Sequence, residues 1–397
     1  SYHNISGTPL PEQPTHVDNC FIIYPLSNYP KVKLRDNEWV GVRMRETRKL
    51  ICSEFKTNQS KVVLLHPVTF ADTQGYQLHR NLRAIDHNTL ISKINHYRIA
   101  DPGERFWPAN ELKDALYDYP RITQNTLRII AECEAEFDFS TPKNKQIFTN
   151  TPTDDYHLLT KLAMDGIQNR YGNNNPEAVL RVKKELDIIS RLGFAAYFLI
   201  TWDIIRYSMS RGFHHVGRGS GANSIVAYCL KITDVDPIDL DLYFERFINP
   251  RRTSPPDFDI DYSWKDREEV QDYIFKRYGY QHTALLGTMS TFRGKSTLRE
   301  LGKVYGLPKA EIDRLVDDPN HPLNQTDITR HIRDIGLQMT DYPNLRSIHA
   351  GGVLISEDPI TYYTALDMPP KGFPTTQWDM YVAEDIGFEK LDILSQR

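Results

Sequence analysis

Pro255-Pro256-Asp257-Phe258-Asp259-Ile260-Asp261-Tyr262 alternates acidic and apolar residues after a pair of prolines. Alternation of period two marks a strand, so Asp257, Asp259 and Asp261 are expected on one face while Phe258 and Ile260 enter a core. Aspartate is a poor strand former, and neighbouring carboxylates oppose one another's ionisation unless a cation sits among them. The stretch therefore admits two readings: a divalent metal site, or an acidic edge strand facing solvent. An all-oxygen ligand set with no Cys or His nearby selects Mg²⁺ or Mn²⁺ over zinc.

Upstream lies Phe213-His-His-Val216-Gly217-Arg218-Gly219-Ser220-Gly221-Ala-Asn-Ser224, followed by the apolar run Ile225 to Leu230. This reads as a short strand, a glycine-rich turn and a helix. Glycine lets backbone N–H groups approach a ligand, and a helix N-terminus adds partial positive charge, so the turn suits a triphosphate. It matches neither GxxxxGK[ST] nor GxGxxG, and a plain tight turn accounts for it equally. Arg246, Arg251 and Arg252 fall between turn and carboxylates. Carboxylates, arginines and a phosphate-cradling turn together are the equipment of phosphoryl and nucleotidyl transfer.

The 397 residues allow two or three domains. The longest apolar candidate, Gly193 to Trp202, is too short for a membrane span, and no signal peptide is present. A start at Ser1 without methionine fits a piece of a larger protein. Cys20, Cys52, Cys133 and Cys229 form no CxxC pair, which predicts reduced thiols and a cytoplasmic setting. A net charge of −4 does not announce a nucleic-acid binder, but Lys276 to Lys303 carries six Lys or Arg against Glu300 alone. That run is either a phosphate-facing surface or a solvated helix face.

Along the chain, Lys61-Val-Val-Leu-Leu65 predicts a buried parallel strand, followed by His66-Pro67-Val68-Thr69-Phe70. Leu127, Ile130, Ala131 and Cys133 mark an amphipathic helix; Tyr156 to Tyr171 marks another, stopped by Gly172. Pro176 opens a third helix, running to Gly193. A fourth, Ala195 to Ser210, is apolar nearly all round and predicted to be buried. Ser263, with Asp266 three residues on, predicts a helix cap, and Gly279 that helix's end.

Five segments, Gly217 to Ser224, Phe244-Glu-Arg-Phe-Ile-Asn-Pro250, Pro256-Asp-Phe-Asp-Ile-Asp261, His349-Ala-Gly-Gly-Val353 and Lys390-Leu-Asp-Ile393, resemble in order the motifs of bacterial DNA polymerase III alpha subunits, the C-family replicative polymerases. The resemblance implies an α+β fold: a polymerase β-like nucleotidyltransferase palm with a helical thumb insertion, preceded by part of an α/β PHP-type domain. The implied borders are residues 1–115 for the partial PHP domain, 116–288 and 347–397 for the palm, and 289–346 for the thumb. It further implies that Asp257, Asp259 and Asp392 hold two Mg²⁺ ions, for which Mn²⁺ can substitute. Arg218, Gly219, Ser220, Arg246 and Lys390 would meet the incoming dNTP; Arg293, Lys295, Arg299 and Lys303 would meet the DNA backbone. The implied activity is template-directed DNA synthesis on primer-template DNA, with a sliding clamp and other replisome subunits as partners of the parent protein.

Departures accompany the likeness. The PHP-type motif Asn-Asp-Val-His-Tyr corresponds to His66-Pro67-Val68-Thr69-Phe70, where Pro67 and Thr69 replace metal ligands, so no phosphoesterase activity is expected. The chain stops at Arg397, before the fingers. Two other readings stay open: a template-independent nucleotidyltransferase, and a non-catalytic DNA-binding scaffold. Asp261 is expected to have no direct catalytic role, and His349 to be structural.

Overall fold

The acidic alternation does form a strand, but it begins at Asp259 and not at Asp257. The computed structural model describes residues 13, 14, 17–172, 175–243 and 256–396. Arg246, Arg251, Arg252 and the segment Phe244 to Pro250 lie outside the described residues. The fold is mixed α/β and divides into two compact units, one of residues 137–290 and 345–396, the other of residues 13–136 and 291–344. Residues 116–136, expected with the palm, belong to the second.

The second unit contains a parallel three-stranded sheet, β1 (Ile22–Pro25), β2 (Glu38–Val42) and β3 (Val62–Leu64), in the order β1-β2-β3. The strand read from Lys61 to Leu65 is β3. The helix Pro120–Glu132 carries the segment read as amphipathic, yet it buries Ile122, Asn125 and Ile129 and leaves Leu127 and Ile130 exposed. Asn125 explains the switch: its amide donates to the carbonyls of Gln59 and Val62, so a polar residue takes a core position by meeting the strand backbone. Residues 291–344 supply three helices, Gly294–Val304, Lys309–Asp317 and Asp327–Gln338. Leu301, Leu315, Ile332 and Ile335 from these helices share a core with Leu78 and Ala84 of helix Thr73–Asp86.

The first unit is built on a seven-stranded sheet: β4 (His215–Arg218), β5 (Asp259–Ser263), β6 (Thr283–Thr291), β7 (Pro343–Ile355), β8 (Leu366–Asp367), β9 (Thr375–Thr376) and β10 (Leu391–Gln396), in the order β4-β5-β10-β7-β6-β9-β8. β10 lies between β5, to which it is parallel, and β7, to which it is antiparallel. Helices Pro152–Tyr171, Pro176–Arg191 and Ala195–Ser210 cover the sheet through a core that includes Phe198, Phe258, Ile260 and Ile393. The last of them has eleven buried positions, as its all-round apolar sequence predicts. Pro176 sits in the first helical turn, and Gly172 ends its helix at φ 77°. Ser263 is the final residue of β5; Asp266 occupies the N-cap of helix Arg267–Tyr278 without a capping side-chain bond. Gly279 closes that helix at φ 91°. All four cysteines are free thiols. Among the described residues no single helix is long and apolar enough to cross a membrane.

Candidate active site

Strand register brings the carboxylates together. Asp392 on β10 is the direct partner of Asp259 on β5, and Arg218 on β4 pairs with Asp259 from the other side. Adjacent strands lie about 4.8 Å apart, so residues 133 positions distant in sequence become neighbours. Asp257, just before β5, is exposed, while Asp261 and Asp392 are buried.

Two cations lie against these carboxylates. Arg218 donates from Nε to Asp261 Oδ2 at 2.6 Å and from Nη1 to Asp259 Oδ2 at 3.2 Å. Gln396 adds a hydrogen bond to Asp261 Oδ2 at 2.9 Å. Asp261 is thus committed to holding Arg218. Lys390 Nζ contacts Asp392 Oδ2. Burial works against the Lys390 charge, yet the hydrogen bond and charge of Asp392, with Asp257 and Asp259 beyond, raise its pKa above the ordinary lysine value.

Asp392 Oδ1 is left over: it is buried and has no hydrogen-bond partner. A Cβ on Gly351 would come within 3.0 Å of that oxygen and 2.5 Å of Leu394 Cδ2, so glycine keeps the space beside it clear. His349 Nδ1 lies 3.8 Å away and accepts N–H bonds from Gly351 at 3.2 Å and Gly352 at 2.8 Å. Those bonds require an unprotonated Nδ1, and burial lowers the His349 pKa against the pull of Asp392. His349 therefore shapes the backbone opposite Asp392 and donates nothing to it. Asp259 is held above the ordinary carboxylate pKa by burial first, then by Asp392 and Asp257, against Arg218 and Lys390.

The glycine turn is fastened to Asp257. Ser220 Oγ accepts from the Asp257 N–H at 2.9 Å, and the Gly221 N–H donates to the Asp257 carbonyl at 2.9 Å. Gly219 adopts φ 90°, and a Cβ there would meet the Asp257 carbonyl at 2.7 Å; one on Gly221 would meet the Phe258 ring at 2.2 Å. Glycine at both positions lets turn and strand touch backbone to backbone. The helix Ile225–Cys229 that follows was expected to lend positive charge to a phosphate. Its N–H groups are instead occupied: buried Glu185 accepts from Ile225 at 3.3 Å, from Val226 at 3.2 Å and from Ser224 Oγ at 2.8 Å, and Ser224 Oγ caps Ala227.

Sequence reasoning missed Glu185, Gln396 and Arg267, whose guanidinium bonds the carbonyls of Ile393 on β10 and Ala350 on β7. Lone polar residues carry no periodic signal, and each acquires its role only from a distant segment.

The cations expected to meet DNA belong to the other unit. Arg293 precedes helix Gly294–Val304, and Lys295, Arg299 and Lys303 lie on it. Each has an acidic neighbour: Asp341 at 2.7 Å, Asp317 at 3.3 Å, Asp313 at 3.8 Å and Glu300 at 2.7 Å respectively. Such exposed pairs contribute about 0–1 kcal/mol and exchange readily.

Among the described residues no three His, Cys, Asp or Glu side chains converge tightly enough to hold a metal ion as they stand. The donor chemistry nonetheless suits a hard divalent cation: all-oxygen, mutually repelling, with one buried oxygen unspent.

Known proteins carry a similar sequence over most of this length. The pattern of the bacterial DNA polymerase III alpha NTPase domain matches residues 157–395. An error-prone DNA polymerase of Symbiobacterium thermophilum is 35% identical over 337 residues, covering 80% of this chain and 30% of that protein. The DNA polymerase III subunit alpha of Bacillus subtilis is 34% identical over 311 residues, 73% of this chain and 28% of its own length. That of Caulobacter vibrioides is 33% identical over 364 residues, 84% and 31%. The chain thus spans about three tenths of the length of these relatives.

Proposed function

The chain belongs to the bacterial DNA polymerase III alpha family, and on that premise we propose that it carries the nucleotidyl-transfer site of a template-directed DNA polymerase. Its substrates are dNTPs and primer-template DNA; its setting is a cytoplasmic replisome with a sliding clamp. The observation that carries this reading is the β5-β10 register, which sets Asp392 beside Asp259 with an unspent buried oxygen.

Asp257, Asp259 and Asp392 are the residues to hold two Mg²⁺ ions. When bound, the ions supply Lewis acidity toward a primer 3′-hydroxyl and neutralise charge on the leaving pyrophosphate. The rest falls to the protein. Arg218 and Lys390 hold the carboxylates in place and offer their remaining N–H donors to phosphate oxygens. Gly219 and Ser220, with no bulk between them and Asp257, fix where a triphosphate lies relative to β5. In this reading residues 137–290 and 345–396 act as the palm, and the helices of 291–344 as the thumb that follows DNA phosphates.

The test is calorimetric titration of Mn²⁺ into the chain, with and without a dNTP, against the Asp257→Ala, Asp259→Ala variant. Binding that tightens with nucleotide and disappears in the variant is the expected result. Equal binding by both proteins removes the carboxylates from the site.

A further inference from the structure

The parallel sheet of the second unit ends in a pocket of about 460 Å³, within the usual range for small-molecule sites. Its wall comes from the residues immediately after β2, namely Arg43, Arg45 and Arg48, and from His66 after β3. That is the carboxyl edge of a parallel sheet, where α/β proteins bind ligands.

The charges are arranged for an anion. Asp101 Oδ2 accepts from Arg45 at 2.6 Å and Oδ1 from the Gly103 N–H at 2.8 Å. Glu104 Oε1 accepts from Arg43 at 3.1 Å and Oε2 from Thr69 Oγ1 at 2.8 Å. All four carboxylate oxygens thus already accept a hydrogen bond. The Gly103 bond, aided by Arg45 and Arg43 against burial, keeps the Asp101 pKa below the ordinary value, so the acid stays charged and holds its arginine. Each guanidinium has five N–H donors and gives one to its carboxylate, so most of two forks remains. Arg48 makes no ion pair among the described residues and brings a third.

One wall is aromatic. Trp107 Nε1 donates to the Gly103 carbonyl at 3.0 Å, and Arg105 lies 5.3 Å from the ring centroid. His66 packs edge-on at 5.8 Å and is tied through Nε2 to the Arg105 carbonyl at 2.9 Å. The indole is fixed before any ligand arrives.

We propose that this pocket is a metal-independent binding site for a phosphate-bearing small molecule, recognised by Arg43, Arg45 and Arg48 with Trp107 beside it. Two sources share that chemistry: free pyrophosphate, or a nucleoside monophosphate whose base also meets Trp107. The site is independent of the nucleotidyl-transfer reading, which concerns the other unit.

The experiment is calorimetry on the whole chain in EDTA, titrating pyrophosphate and, separately, dAMP. Binding of either is expected without metal, about tenfold weaker in Arg48→Ala and lost in Arg48→Glu, while Lys390→Ala binds as the parent does. Among the described residues Arg48 has no ion-pair partner to strand, so the variants are expected to keep the fold, as circular dichroism will verify. Tighter dAMP binding that falls in Trp107→Leu identifies the nucleotide; pyrophosphate binding indifferent to Trp107 identifies the inorganic anion. No binding in EDTA, binding indifferent to Arg48, or loss in Lys390→Ala overturns the proposal, and none of these bears on Mn²⁺ at Asp259.

Discussion

Both units set carboxylates against arginine or lysine, and they leave opposite surpluses. On β5 and β10 Arg218 and Lys390 are already bonded to carboxylates, and one buried carboxylate oxygen, Asp392 Oδ1, still has no partner. Beyond β2 and β3 the carboxylates are spent and guanidinium N–H groups remain. A count of charges would call both regions mixed. Unspent hydrogen-bonding capacity separates them, because a buried group without its partner costs more than a made bond returns.

The hardest way to break the contrast is to remove the oxygen surplus. Asp259→Asn with Asp392→Asn should weaken Mn²⁺ binding by about a hundredfold or more, since disturbing supporting residues alone costs 10–100-fold. Calorimetry decides; undiminished affinity would place the cation elsewhere. Gly351→Ala attacks the same surplus from outside, laying a methyl 3.0 Å from Asp392 Oδ1 and tight against Leu394. It should cost about tenfold in Mn²⁺ affinity and about 1–3 kcal/mol in urea unfolding. Unchanged values in both would mean that the space is not used.

Glu185 sharpens the contrast from between the extremes. Both its oxygens accept bonds, yet complete burial lifts its pKa to about 7 against Ser224, the Val226 and Ile225 N–H groups and Arg181. The folded chain therefore holds this proton more tightly than the unfolded chain. Stability from this group is full below about pH 4.5 and declines as pH rises through 7. Denaturant unfolding from pH 5 to 8 should show that decline, of roughly 1–3 kcal/mol, and Glu185→Gln should flatten it. An equal slope in the variant would assign the titration to another group.

The smallest effects belong to cations whose removal strands nothing buried. Lys303→Ala and Arg48→Ala should each change unfolding free energy by less than about 0.5 kcal/mol. A loss of 2 kcal/mol or so from Arg48→Ala would give that side chain a structural duty in the pocket.

What the sequence reveals follows the range of the force involved. The strand at Asp259, the turn at Gly219 and the helices after Pro176 and Ala195 are local, written in alternation, glycine and apolar period. Asp392 was reachable only through a family resemblance, because nothing within 133 residues points from it to Asp259. Helix Pro120–Glu132 exposes the face that its larger apolar residues suggest should be buried, since Asn125 finds strand carbonyls that no pattern can show. The Ser263 cap fails because β5 runs through that residue. Glu185 was invisible for the opposite reason: a glutamate in a helix looks like surface until a second segment brings three donors to it.

β10 follows every other described strand in sequence and yet stands third in the sheet, between β5 and β7. During synthesis those two strands must wait, unpaired along the sides that β10 will fill, until residues 391–396 leave the ribosome. Open strand edges recruit other chains, and charged residues on them discourage that. Asp259 and Asp261 sit on one of the waiting edges. The same repulsion that suits them to a cation can protect the nascent protein from aggregation until β10 arrives.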